Sequence, residues 1–146
     1  MHPLTRHATS HLRPATLTDL HLQDDITRAC NLAYAAGTRI EHYTDDPDTA
    51  YRLNALIAEA ATALEEAEEH LIAGGDLSPA TRGAWTAVDR ASHAAGHFPH
   101  NPTRRQRAAQ RTVVDLRDAA RHAFNSLREA DRHRAAQTPD TQEKDR

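Results

Sequence analysis

Three histidines, His93, His97 and His100, stand close together, with Asp89 one helical turn before the first. Two histidines at i, i+4 on a helix project both imidazoles from one face, the spacing that lets them share a metal ion. Gly96 falls between them. A helix that stops there leaves His93 beside the negative end of the helix dipole, where histidine serves as a cap. The chain has no Glu-x-x-His pair, so the ligand set of a di-iron bundle is missing. We expect no resident metal and no cofactor.

A second group is basic. Arg104, Arg105, Arg107 and Arg111 cluster within about two turns. At the start of a helix, guanidinium groups and free backbone N–H groups both attract phosphate, which makes this the candidate nucleic-acid contact. No aromatic residue is interleaved with the four, so nothing in the run itself offers base stacking. Arginine supplies 17 of the 18 basic residues and alanine 28 of 146 residues, the bias that a GC-rich genome of the actinobacterial kind produces. Composition alone therefore accounts for many arginines.

The third group is Arg117-Asp118-Ala119-Ala120-Arg121-His122. An arginine, a polar residue and a histidine five positions after the arginine resemble the signature of HEPN-type ribonucleases. That resemblance covers six residues and implies a small all-α domain that dimerises and joins two such motifs. It also implies that Arg117 and His122 act on a scissile phosphate, the arginine stabilising charge and the histidine serving near the attacking or leaving oxygen. The same spacing recurs at Arg128/His133 and Arg6/His11. The alternative is that Arg117 and His122 are simply two exposed side chains of one helix. Other catalytic patterns are missing: there is no Gly-rich phosphate loop, no G-x-S-x-G and no dinucleotide fingerprint. Cys30, the only cysteine, sits in an apolar run and reads as packing.

These residues must be positioned by helices. Asp46-Pro47, Ser78-Pro79 and Asn101-Pro102 each place a capping side chain before a proline suited to the first helical position. Thr16 to Asp19 reads as an acidic variant of the capping box. Gly74-Gly75 and Gly96 mark stops. The expected helices are 17–43, 47–73, 79–95 and 102–134, each with a 3-4 apolar repeat such as Leu53, Ile57, Ala60, Leu64, Ala67 and Leu71. Tyr43 would close the first of them. Short loops of about three to six residues predict an antiparallel, up-down-up-down four-helix bundle.

Leu, Ile, Val and Phe together number only 22 of 146 residues. Such a bundle must pack through alanine, with helices close together. Gly83, with Ala80, Ala84 and Ala87, marks the third helix as the most closely packed. The predicted lengths are unequal, which leaves the end of the fourth helix uncovered. Phe124, Leu127 and Ala130 there, together with Trp85 off the alanine stripe, are the candidate interface; the alternative for Trp85 is core or inter-helix packing. The competing cover for that end is the N-terminal arm, with Leu4 and Leu12 as plugs.

Residues 1–15 and 136–146 are polar and expected to be loosely held tails around a single domain, 16–135. Charge is nearly balanced, 18 basic against 21 acidic residues, which argues against a surface built wholly for nucleic acid. One cysteine, no apolar leader and no spanning apolar run point to the cytoplasm. The function expected is that of a non-enzymatic helical interaction or adaptor protein, homodimeric and binding a protein partner. Its alternatives are a nucleic-acid-associated protein using the start of the fourth helix and a HEPN-like ribonuclease.

Overall fold

The computed structural model describes residues 17–42 and 46–137. Four helices make up the architecture: α1 (Leu17–Glu41), α2 (Pro47–Ala73), α3 (Ser78–Ala95) and α4 (Arg104–Gln137), with no strand among the described residues. Thr16, Tyr43, the arm with Leu4 and Leu12 and the last nine residues lie outside that range. Ala136 and Gln137, expected in the tail, are helical.

Three of the four helix starts have a visible local cause. Asp46 caps α2 in an extended conformation, its Oδ1 accepting the Asp48 N–H at 3.1 Å and its Oδ2 the Thr49 hydroxyl at 2.6 Å. The Thr49 hydroxyl foremost, with the backbone N–H groups, holds the Asp46 carboxyl below its ordinary range. At α3 the cap differs from expectation. Ser78 is already helical, and Asp76 Oδ1 accepts the Ser78 N–H at 3.0 Å instead. Asn101-Pro102 is not a helix start at all. Thr103 Oγ1 accepts the Gln106 N–H at 3.2 Å, and Gln106 Oε1 accepts the Thr103 N–H at 2.8 Å. This reciprocal capping box satisfies two otherwise free donors and sets the start of α4 at Arg104, two residues later than predicted.

Stops agree with the glycines. Gly74 adopts φ 80° and returns its N–H to the carbonyls of His70 and Leu71. Gly96 ends α3 at φ −77°, with no left-handed turn. The connection from α3 to α4 consequently spans residues 96–103, longer than expected, and it buries Phe98.

Consecutive helices pack on one another, and α1 packs on α4 to close the ring. The largest fully buried side chains are Ile26, Ile40, Leu53, Leu64, Val113, Leu116 and Leu127. Burial of each such side chain is worth about 1.5–3 kcal/mol, so a few large residues supply most of the apolar driving force. Small residues set the spacing. In α3 the buried series is Ala80, Ala84, Ala87, Val88, Ala91 and Ala94. Gly83 faces α2 so closely that an added Cβ would stand 2.7 Å from the Ala63 carbonyl oxygen and 3.1 Å from Ala67 Cβ.

Polar ties join the helices at the surface. Thr27 donates to Glu68 at 2.7 Å, Tyr34 to Glu65, and Arg90 to Glu59 at 2.6 Å. Arg134, near the end of α4, donates to Asp19 near the start of α1 and to the Gly75 carbonyl, each at 2.8 Å.

The axial stagger reverses one expectation. Trp85 of α3 meets Phe124, and Ser78 shares a groove with Asp131, so α3 runs beside the second half of α4. The turns of α4 without α3 alongside are therefore its first ones and those past Asp131, not the stretch that holds Phe124, Leu127 and Ala130. Leu127 is fully buried and Ala130 nearly so, and neither belongs to an uncovered stripe.

Candidate interaction surface

The side chains that α3 and α4 turn outward meet along one seam. Ser78, Thr81 and Trp85 follow the i, i+3, i+7 ridge of α3; Phe124, Arg128 and Asp131 follow i, i+4, i+7 on α4. Together with Arg82 and Thr86 they line an open groove of about 650 Å³. Trp85 is 53% exposed. Its ring lies 5.1 Å from that of Phe124, tilted by 47°, and the Arg128 guanidinium carbon lies 5.6 Å from the Phe124 centroid. Aromatic pairs in such tilted contact add roughly 0.5–1.5 kcal/mol beyond area burial. Half-buried Phe124 is thus a fixed platform that holds Trp85 in one orientation while much of its surface faces water.

Arg82, Arg128 and Asp131 bring charge of both signs to its walls. Arg82, Arg121 and Arg128 are exposed, and among the described residues none of them makes an ion pair with a carboxylate. On a 3.6-residue helix Arg121 lies one turn before Phe124 and Arg128 one turn after it. Of the four residues singled out as an interface, Trp85 and Phe124 come together here. Leu127 and Ala130 support Phe124's helix from inside the core.

The other candidates are dispersed. Arg104, Arg105, Arg107 and Arg111 occupy the first two turns of α4, all exposed, with Arg107 reaching the Pro102 carbonyl at 3.5 Å. Part of the N-terminal N–H set there is taken by the Thr103 and Gln106 box. His93 pairs with Asp89 at 3.5 Å, His97 lies past the end of α3, and His100 is exposed in the connection. Among the described residues no three His, Cys, Asp or Glu side chains are placed to hold a metal ion.

Arg117 turns back on Asp118 at 3.2 Å, whereas His122 approaches Asp25 of α1 at 3.5 Å. Five residues on a helix rotate by roughly 500°, so within one chain the two side chains diverge by about 140°. His122 lines a separate groove between α1 and α4 with Asp25, Arg28, Asp115 and Asp118. Cys30 is buried, and burial foremost, then Glu68 and Glu65, push its thiol up to about 11. A thiol held protonated is a poor nucleophile.

Sequence reading names Trp85 and Phe124 as interface candidates but does not pair them in one groove, because the two aromatics are distant in the chain. The available signals were a tryptophan off the alanine stripe and a phenylalanine one turn before an arginine. No helix among the described residues is long and apolar enough to cross a membrane. Comparison with protein-family models, with curated proteins and with solved structures finds no match for this chain.

Proposed function

We propose that this protein is a non-enzymatic helical interaction protein of the cytoplasm that self-associates and binds protein through the Trp85 groove. Its scaffold is an antiparallel, up-down-up-down bundle with an alanine-rich core, a reading supported by the Asp19–Arg134 tie between the start of α1 and the end of α4. The observation that carries the functional reading is the half-exposed Trp85 fixed against Phe124. Tryptophan and arginine are the residue types that dominate binding energy at protein interfaces, and an anchor already held in place loses little entropy on docking. Because Trp85 is the only tryptophan, its fluorescence reports this groove alone. Self-association is expected to move its emission to shorter wavelength as concentration rises, with a matching rise in mass by light scattering. Trp85→Ala is expected to abolish the mass increase with helix content unchanged. A constant monomer mass at all concentrations would refute the reading.

The second reading is a nucleic-acid contact at the start of α4. It is favoured by the exposure of Arg104, Arg105, Arg107 and Arg111, none of which makes an ion pair among the described residues. Salt-sensitive retention on a phosphate column, lost when Arg104, Arg105 and Arg107 become Gln, is its test.

A further inference from the structure

We propose that the outward face of α4 is a track for a single-stranded nucleic acid, with Trp85 as the platform on which one base stacks. The inference rests on the nucleic-acid reading given above and extends it from the start of α4 along the helix. Charge in this protein is segregated. The sequence of α4 holds nine arginines against four carboxylates. That of α2 holds six carboxylates and one arginine. In the ring of helices α2 and α4 are diagonal to one another, so the two excesses stand on opposite sides of the bundle. The formal net charge of −3 therefore describes neither side.

Within α4 the basic residues form a row. At 3.6 residues per turn, Arg107, Arg121, Arg128 and Arg132 fall within about 60° of one another and span roughly 37 Å. All four are exposed, and among the described residues none makes an ion pair. The carboxylates of α4 leave the row open. Asp118 holds Arg117 at 3.2 Å, and Asp115 lines the groove toward α1. Glu129 is exposed, about 100° round the helix from Arg128. Asp131 is half-buried in the Trp85 groove, which places phosphate on the row and not in the groove. Phe124 sits between Arg121 and Arg128 in the chain, and the Trp85 ring rests 5.1 Å from it. An indole half open to water thus stands beside the row, level with the stretch between those two arginines. Cations in file hold a nucleic-acid backbone, and an exposed aromatic face takes an unpaired base. A duplex keeps its bases inside the stack, so the indole selects a single strand. Trp85 cannot be covered twice, so strand binding and self-association exclude each other.

The test is titration of the full chain with a short oligothymidylate. Trp85 emission is expected to fall as a base stacks on the indole. Four phosphate contacts to a single strand give a salt slope of about −2.8, so affinity should drop ~50-fold between roughly 50 and 200 mM salt. Replacing Arg121, Arg128 and Arg132 together by Gln should flatten that slope by about 2. Trp85→Ala, followed by anisotropy of a labelled strand, should weaken binding ~10-fold and leave the slope unchanged. All four positions are exposed, so helix content should be retained. Suppose binding is lost when Arg104, Arg105 and Arg107 become Gln, yet is indifferent to the Arg121, Arg128 and Arg132 variant and to Trp85→Ala. The track is then overturned and the contact at the start of α4 stands. No binding of the strand at low salt overturns both. Inorganic polyphosphate or a duplex bound as tightly as the strand removes the role of Trp85 and overturns the track. So does a dimer whose Trp85 emission is unmoved by the strand, which assigns the indole to protein.

Discussion

The backbone of Gly83 in α3 rests against the carbonyl oxygen of Ala63 in α2, with no room for a Cβ between them. Alanine is favoured over glycine in a helix interior by about 1 kcal/mol. Here the missing methyl decides the sign, because forcing atoms into a filled contact costs typically ~1–3 kcal/mol. Gly83→Ala is therefore expected to lower stability in urea unfolding. Gly37, inside α1, has nothing within 4 Å of an added Cβ. Gly37→Ala should raise stability by up to ~1 kcal/mol. Two stabilising results would show that α2 and α3 lie farther apart than described.

The capping box at Thr103 and Gln106 makes a second contrast. Thr103→Ala is expected to cost about 1 kcal/mol, since a free N–H of α4 loses its acceptor. Asn101→Ala should change little, although its position before a proline looks like a cap in the sequence. Equal effects at the two positions would contradict the observed start of α4.

Cys30 should react with a disulfide reagent only as fast as the bundle opens, and with a normal rate after unfolding. Its pH dependence has a definite sign. The folded thiol keeps its proton up to about 11, whereas the unfolded thiol titrates near its ordinary value of 9.0. Stability is undiminished below the unfolded value and falls as pH rises from there toward the folded one. Cys30→Ala should remove that part of the alkaline decline, read by comparing Tm of the two proteins across this window.

Asp46 and Asp76 act at the other end of the scale. Both carboxyls are held below the ordinary aspartate range, Asp46 mainly by the Thr49 hydroxyl and Asp76 mainly by the Ser78 N–H. Their contribution is present above the unfolded aspartate value and is lost as pH falls through the folded one. Replacing either by alanine should lower Tm by a few degrees at pH 7 and hardly at all in strong acid. An equal loss at both pH values would mean that the charge of the cap is immaterial.

How far residues alone reveal this structure depends on how local the cause is. The bounds of α2 are readable because Asp46-Pro47 and Gly74 act on their own neighbours. The start of α4 is not, because Asn101-Pro102 and the Thr103 box compete within six residues and only the bonds formed decide. Axial stagger is less accessible still. Helix lengths predict an overhang without telling which end carries it, so Leu127 is assigned to a surface although it lies in the core. The pairing of Trp85 with Phe124 follows from that stagger and from no motif. The arginines of α4 show the reverse difficulty: many stand alike in the sequence, and the settings of Arg128 over an aromatic ring and of Arg134 against Asp19 emerge only from the packed helices.

The tie between Asp19 and Arg134 spans 115 positions of sequence. During synthesis α1 leaves the ribosome before the other three helices, yet α4, the fourth of them, completes its packing. Until then the α4-facing side of α1 has no native cover, and the nascent chain presents apolar surface that invites chaperones or premature pairing with a neighbouring chain. Closure of the ring thus waits for α4, and truncation within α4 should yield a chain that aggregates rather than a smaller stable domain.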